Sequence, residues 1–222
     1  MPSPGDPRRE RLAKAHLYVV TGAREEQGDL PAFLEAVLEA GADIVQLREK
    51  DAEAGDLIRW SSDFRAAADR YDALFVMNDR PDVAVASGAD GVHVGQNDLP
   101  PAWARRMVGP ELLIGLSTHS IVEFDASAPD ADYLCVGPLF ATPTKLGRPA
   151  TGLEIVTHAA SRARDGRERR PWFAIGGIDI TSLPGVMDSG AERIAVVRAA
   201  AGPDPAASVR ALAEGVARSP YK

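Results

Sequence analysis

Several short apolar segments of the sequence end in side chains that can bind an anion, a metal ion or an amide. In the segment IVQLREK, Gln46, Arg48 and Lys50 share one face of a predicted strand, and Val45 and Leu47 share the other. Burying the two cations without partners would cost free energy. The pattern therefore predicts that the polar face opens onto a cavity where a bound anion pairs the cations.

Two aspartates follow the next two apolar segments, Asp79 in ALFVMNDRPD and Asp98 in GVHVGQNDLP. Hard carboxylate oxygens together with substrate phosphates are the usual ligands of Mg²⁺. Each residue alone can also be explained as a helix N-cap, because Pro81 and Pro100 follow closely, and for Asp98 alone the cap is the better explanation. Their position after neighbouring strands favours a metal site.

Further polar or glycine-rich segments follow the later strands: GLSTHS, GPLFATPTK, IGGI and VVRAA. Glycine lets backbone N–H groups approach an oxyanion, so Gly176 and Gly177 predict a phosphate site. The loop FATPTKLGRPATG carries hydroxyls and an ammonium group that can reach a phosphate, and it can act as a lid. No nucleophile–His–Asp pattern or zinc spacing occurs; His93 is interpreted as a core histidine, and His119 as a helix cap or a substrate contact.

Eight strand-like segments alternate with helical ones and would position these side chains. The strands are predicted at 17–20, 44–48, 73–77, 91–94, 112–116, 133–137, 172–175 and 193–197. Strands alternating with helices predict a parallel sheet, and eight such units favour a (β/α)8 TIM barrel with its functional residues at the carboxyl ends of the strands. We expect a flexible N-terminal arm over residues 1–15 and one catalytic barrel domain over residues 16–222.

Composition excludes several classes of protein. The sequence has 222 residues and a formal net charge of −7, which argues against a general nucleic-acid binder. Cys135 is the only cysteine, so no intrachain disulfide forms, and its apolar surroundings predict a small core residue. No apolar run has transmembrane length and the N-terminus has no secretory pattern, so we expect a cytoplasmic protein without membrane partners.

Taken together, the motifs VQLREK, NDRPDVAVASGADGVHVGQNDLP, GLSTHS, GPLFATPTK and AIGGI resemble thiamine-phosphate synthase over nearly all of the sequence after the N-terminal arm. The resemblance implies a TIM barrel that joins hydroxymethylpyrimidine diphosphate to a thiazole phosphate and releases pyrophosphate. A carboxylated thiazole phosphate is an alternative second substrate. It implies Mg²⁺ as cofactor and two phosphorylated small molecules as partners. The oligomeric state cannot be deduced from the sequence.

The resemblance also implies a role for each matching residue. The pyrimidine diphosphate would be held by Gln46, Arg48, Lys50, Asn78, Ser117 and Lys145. The thiazole phosphate would be held by Thr142, Thr144, Gly177, Val197 and Arg198. Asp79 and Asp98 would ligate Mg²⁺. The sequence departs from the family where Asn97 replaces a frequent Glu and where Arg198 replaces a frequent Ser; the Arg198 side chain or only the local backbone would contact the phosphate.

The reaction suits this set of residues. A dissociative displacement at the pyrimidine methylene carbon expels pyrophosphate, and the thiazole nitrogen attacks with a lone pair that needs no deprotonation. Arg48, Lys50 and Lys145 would stabilise the leaving-group charge, so no acid–base residue is assigned. The alternatives are a thiazole tautomerase on the same barrel, a phosphosugar isomerase or lyase, and a ligand-binding barrel without catalysis.

Overall fold

Eight parallel strands close into one barrel, each strand hydrogen-bonded to its neighbours in sequence and β8 pairing with β1. The computed structural model describes residues 6–141 and 150–218. The strands are β1 Leu17–Thr21, β2 Ile44–Leu47, β3 Leu74–Asn78, β4 Gly91–Val94, β5 Leu113–Thr118, β6 Tyr133–Val136, β7 Trp172–Ile175 and β8 Ile194–Val196. The TIM barrel predicted from the alternation of segments is confirmed.

Helices surround the barrel and cover the outward faces of the strands, except for the first helix, which lies under the barrel. They are α1 Pro7–Lys14, α2 Leu30–Glu39, α3 Ala54–Arg70, α4 Pro81–Ala86, α5 Pro101–Val108, α6 Ile121–Asp125, α7 Glu154–Arg164, α8 Leu183–Asp188 and α9 Pro205–Ala217. A short 3₁₀ turn, Arg198–Ala200, follows β8. Among the residues that the structure describes, no helix combines the length and apolar character needed to span a bilayer.

The hydrophobic core has two layers, because strand side chains alternate between the barrel interior and the helices. Val45 and Leu47 of β2 belong to the outer layer, as predicted. The inner layer contains large side chains such as Tyr18, Tyr133 and Phe173. The mouth of the barrel lies above this inner layer, at the carboxyl ends of the strands.

Glycines end several of the helices that lead into strands. Gly41, Gly88 and Gly190 all have positive φ, as expected for the left-handed position that ends a helix. Asp43 and Asp90, two residues after Gly41 and Gly88, accept hydrogen bonds from the backbone N–H groups of Leu17 and Phe75. These acids gather at the lower end of the barrel, away from the mouth.

The predicted flexible arm is wrong for the residues from Asp6 onwards, which form a capped helix packed under the barrel. Asp6 accepts a hydrogen bond from the Arg8 N–H group and thereby caps α1. Leu12 is 2% exposed and belongs to the inner core layer. Arg8 and Arg11 of α1 form ion pairs with Asp90. The arginines of this segment are therefore partners of an acid distant in sequence.

Candidate active site

A cavity of about 560 Å³ opens at the mouth of the barrel. Within the described residues, every candidate from the sequence lines it: Gln46, Arg48, Lys50, Asn78, Asp79, Asp98, Ser117, Gly177, Val197 and Arg198. The candidates Thr142, Thr144 and Lys145 lie outside the described residues. Side chains from strands two to eight thus meet in one space, as the barrel topology requires.

The polar face of β2 points into this cavity. Gln46 is 3% exposed and its Nε2 atom donates to the hydroxyl of Tyr18 at 2.5 Å. The Arg48 N–H group donates to the Thr21 carbonyl at 2.8 Å, which continues the β1–β2 pairing one residue past the strand. Arg48 and Lys50 then line the cavity at its rim, where an anionic ligand can pair with both. The predicted orientation of this strand is confirmed.

The acid pair sits beside Lys50. Asp79 adopts a left-handed backbone conformation, φ 60°, directly after β3, and its N–H group donates to the His93 carbonyl at 2.8 Å. Its Oδ2 atom lies 3.3 Å from Lys50 Nζ. Asp98 Oδ2 accepts from the Gly95 N–H group at 2.8 Å, which turns its carboxyl group back towards the cavity.

Neither aspartate caps a helix. The N-cap positions of α4 and α5 are Arg80 and Pro100, and neither makes a side-chain cap hydrogen bond. The helix N-cap explanation that the sequence left open for Asp79 and Asp98 is therefore wrong. Their carboxyl groups instead face the same cavity from two adjacent strands.

The pKa of Asp79 is raised from its ordinary value. Burial contributes most, the charge and hydrogen bonding of Asp98 add to it, and the nearby Lys50 ammonium opposes it. Two carboxylates held close together in a partly buried place repel each other, and a divalent cation between them would relieve that repulsion. The donor set consequently fits a hard divalent cation such as Mg²⁺. In residues 6–141 and 150–218, no group of three or more His, Cys, Asp or Glu side chains forms a metal site, so the protein offers this pair.

The opposite side of the cavity is built from backbone. Gly176 and Gly177 after β7 have φ of 105° and 70°, which other residues rarely adopt. A Cβ atom at Gly176 would lie 2.4 Å from the Pro138 Cα atom, so the close approach of these two loops also requires glycine. The amide-rich turn forms the wall where TIM barrels commonly bind phosphate.

Strand β8 completes that wall. Ala195 belongs to the inner core layer and Val196 to the outer layer, so Val197 returns towards the interior and lines the cavity. Val197 has φ −119° and ψ −81°, and this ends the strand before Arg198 begins the 3₁₀ turn. The Arg198 side chain is exposed and lies between the cavity and a neighbouring hollow beside Glu49.

The floor of the cavity contains residues that were not among the site candidates from the sequence. Tyr18, His93 and Cys135 line it, and His93 Nε2 lies 2.9 Å from Ser117 Oγ. Gln96 Nε2 donates to the Ser117 carbonyl at 2.7 Å and steadies the same strand end. The missed signal was strand alternation: Tyr18 and His93 occupy inward positions of β1 and β4.

The fold and this cavity define a TIM-barrel enzyme that acts on phosphorylated small molecules. The thiamine monophosphate synthase family model matches residues 17–200. The sequence is 52% identical to thiamine-phosphate synthase of Acidothermus cellulolyticus over 210 residues, covering 93% of this chain and 96% of that protein. It is 51% identical to thiamine-phosphate synthase of Mycobacterium leprae over 217 residues, covering 91% of each.

A solved structure gives the same result. Thiamine phosphate pyrophosphorylase from Pyrococcus furiosus superposes with a TM-score of 0.82 at 31% identity, covering 96% of this chain and 98% of that chain. The chain belongs to the thiamine monophosphate synthase family. Its activity is that of a thiamine-phosphate synthase, a transferase of thiamine biosynthesis that moves a pyrimidinylmethyl group.

Proposed function

We propose that this enzyme condenses 4-amino-2-methyl-5-hydroxymethylpyrimidine diphosphate with 4-methyl-5-(2-phosphoethyl)thiazole, in a Mg²⁺-dependent reaction. The observation that carries the proposal is the composition of one cavity: Arg48, Lys50 and the acid pair lie on one side, and the Gly176–Gly177 turn on the other. One side suits a diphosphate with a metal ion, and the other suits a monophosphate bound by backbone amides.

The bonds exchange at a single carbon. The bond between the pyrimidine methylene carbon and the diphosphate oxygen breaks, and both electrons leave with pyrophosphate. The thiazole nitrogen donates its lone pair to the methylene carbon and becomes the charged thiazolium nitrogen. No proton has to move for either event, so the reaction needs no residue that acts as a general acid or base.

The residues of this protein act by holding charge and by positioning. Arg48 and Lys50 sit where negative charge grows on the leaving group, and stabilising developing charge lowers the barrier. Lys145 keeps the same proposed role. Mg²⁺ held by Asp79 and Asp98 would supply further positive charge to the pyrophosphate oxygens.

The pyrimidine and the thiazole phosphate are assigned to different residues. Asn78 and Ser117, both largely buried at the ends of β3 and β5, join Gln46 as pyrimidine contacts. The thiazole phosphate is assigned to Gly177, Val197 and Arg198, with Thr142 and Thr144 as proposed hydroxyl donors. Since the Arg198 side chain is exposed and Val197 points inward, the backbone is the proposed main phosphate contact.

The experiment is a two-substrate assay that measures thiamine phosphate and pyrophosphate together. We expect the two products in equal amounts, only with Mg²⁺, and we expect Arg48→Ala to lower kcat by about ten- to a hundredfold, the range for one lost ionic hydrogen bond in the transition state. The carboxylated thiazole phosphate is assayed alongside. Arg106 stacks on Trp103 on the outer surface, so Arg106→Ala is the matched control and should keep wild-type kinetics.

Two results would contradict the proposal. An Arg48→Ala enzyme with altered KM but unchanged kcat would show that Arg48 binds ground state and transition state equally. Isomerisation of a thiazole phosphate without any pyrophosphate release would instead support the tautomerase alternative. In that case His119→Asn would be expected to abolish activity, whereas the synthase proposal expects it to be retained.

A further inference from the structure

Five side chains form a continuous buried hydrogen-bond network across the floor of the cavity. Gln46 Nε2 donates to Tyr18 Oη at 2.5 Å, and Tyr18 Oη lies 3.1 Å from Tyr133 Oη. Tyr133 Oη lies 3.3 Å from His93 Nδ1, and His93 Nε2 lies 2.9 Å from Ser117 Oγ. The network begins and ends at the two side chains, Gln46 and Ser117, that we assign to the pyrimidine.

The barrel makes space for this network at one position. Gly115 of β5 pairs in register with His93 of β4 and with Tyr133 of β6. A Cβ atom at Gly115 would meet both the Tyr133 ring and the His93 Nδ1 atom at distances far inside van der Waals contact. The φ of Gly115 is not in the left-handed region, so its backbone conformation alone does not call for glycine. Glycine at this position is therefore what lets the phenol and the imidazole touch.

The direction of the network follows from the number of protons. Burial raises the pKa of Tyr18 and of Tyr133 well above the ordinary value, so each hydroxyl keeps its single proton. When Tyr18 accepts from Gln46, it must donate to Tyr133, and Tyr133 must then donate to His93 Nδ1. A neutral His93 consequently carries its proton on Nε2 and donates to Ser117 Oγ.

This direction sets what the cavity presents to a ligand. Gln46 turns its NH₂ group to Tyr18 and so presents its carbonyl oxygen, an acceptor. Ser117 receives a proton from His93 and so presents its own O–H group, a donor. An aminopyrimidine edge offers an amine donor beside a ring-nitrogen acceptor, the complementary pair, whereas a 4-oxopyrimidine edge offers the reverse pattern.

We propose that Tyr18, Tyr133 and His93 are positioning residues whose one-way hydrogen bonding makes the cavity select a 4-aminopyrimidine over a 4-oxopyrimidine. This inference rests on the proposed function, because it takes Gln46 and Ser117 as the pyrimidine contacts. The selection is made by the network as a unit. Without the Tyr133 hydroxyl, the Gln46 amide can rotate by 180° and the Ser117 hydroxyl can turn its proton away from the ligand, each at little cost in free energy.

The test measures Kd by calorimetry for the 4-amino and 4-oxo pyrimidine diphosphates, with Mg²⁺ and without thiazole phosphate. The wild-type enzyme should prefer the amino compound by about 10- to 100-fold, the range for a two-hydrogen-bond edge contact. Tyr133→Phe, which removes one hydroxyl and keeps the ring, should reduce the preference to within about threefold of unity. Tyr18→Phe should do the same and replaces Tyr133→Phe if that variant does not fold.

A matched control separates selection from packing. Phe173 stacks edge-on against both tyrosines, with ring centroids 5.6 Å from Tyr18 and 5.9 Å from Tyr133, and is outside the network. Phe173→Leu disturbs the same aromatic cluster and should leave the preference for the amino compound unchanged. Wild-type selectivity in Tyr133→Phe or Tyr18→Phe, or an equal loss in Phe173→Leu, would show that the network only supports the fold.

Two further outcomes are distinguished by the same samples. A wild-type preference for the 4-oxo compound would show that the network runs in the opposite direction and would overturn the proposal. Absence of thiamine phosphate formation by a wild-type enzyme that still binds the amino compound selectively would overturn the proposed function and leave the network assignment standing.

Discussion

At the scale of single residues, Asp79 is held in a state that costs stability until a ligand arrives. Burial and the Asp98 charge raise its pKa more than the Lys50 ammonium lowers it. A carboxyl group whose pKa is higher in the folded protein stabilises the fold when protonated, and that contribution is lost as pH rises through the folded pKa. At neutral pH the metal-free protein therefore carries a destabilising charge at this position.

We expect Asp79→Asn to raise the thermal unfolding temperature of the metal-free enzyme at pH 7.5 by about 2–4 °C, the shift that roughly 1 kcal/mol produces in a protein of this size. Asn also tolerates the left-handed backbone at this position. The same variant should lose most turnover. The gain in unfolding temperature should shrink as pH falls towards the unfolded-state pKa of about 3.9.

The measurement is thermal unfolding in the presence of a chelator at several pH values. Asp69→Asn is the control, since Asp69 is exposed and pairs with Arg65 at 2.8 Å on the surface; its shift should stay within about 1 °C, as is usual for such pairs. A lower unfolding temperature for Asp79→Asn at pH 7.5 would mean that the Lys50 ion pair outweighs the repulsion.

At the scale of elements, α1 closes the lower end of the barrel. Leu12 inserts into the inner core layer. We expect Leu12→Ala to lower the free energy of unfolding by about 2–5 kcal/mol, the usual range for truncating a buried leucine. Since α1 lies at the end of the barrel opposite the cavity, kcat and both KM values should change by less than about twofold below the unfolding transition.

Denaturant unfolding and steady-state kinetics on the same preparation test this expectation. Lys14→Ala, an exposed position of the same helix, is the control and should change stability by less than about 0.5 kcal/mol. An unchanged free energy of unfolding in Leu12→Ala would show that α1 does not contribute to the stability of the barrel. A large fall in kcat would show that α1 reaches the active site through the barrel.

The elements differ in how well the sequence predicts them. Strand β2 was predicted to within one residue, because apolar β-branched residues follow a glycine that ends the preceding helix. Helix α1 was missed, since Asp90, the acid that orders its arginines, lies about eighty positions away in sequence. The contact between His93 and Tyr133 was missed for a similar reason: it depends on the register of three strands around Gly115.

Within the site, charged and glycine positions were easier to predict than neutral ones. Arg48 and Asp79 stand at strand ends, where a buried charge calls for a partner, and barrel topology brings strand ends together. Tyr18 and His93 are half apolar and look like core residues in a sequence. Only the observed geometry shows that the polar atoms of both side chains point at the Tyr133 hydroxyl.

At the scale of the whole molecule, the barrel ties the proposed ligand sites to overall stability. The acid pair, the cations of β2 and the buried polar side chains of β3 and β5 sit on strands that unfold together, so a ligand that bridges them stabilises the entire fold. The acid pair alone offers few ligands for Mg²⁺, and a diphosphate alone meets two carboxylates that repel it. The diphosphate would therefore supply the oxygen ligands that Mg²⁺ lacks, and Mg²⁺ would neutralise the carboxylates that repel the diphosphate.

We expect Mg²⁺ and pyrophosphate to stabilise the enzyme synergistically. Each ligand alone should raise the thermal unfolding temperature by less than about 1 °C. The two together should raise it by about 2–12 °C, because coupled binding at saturating ligand adds roughly 1–3 kcal/mol and this protein gains about 2–4 °C per kcal/mol. By thermodynamic reciprocity, Mg²⁺ should tighten the binding of pyrophosphate by the same factor as pyrophosphate tightens the binding of Mg²⁺.

Differential scanning fluorimetry over a grid of both concentrations measures the coupling. Asp98→Asn is expected to abolish the coupling, and the control Asp69→Asn to preserve it. Strictly additive shifts in the wild-type enzyme would place the metal ion and the leaving group in separate sites, and the proposed arrangement of Asp79, Asp98 and the diphosphate would fail.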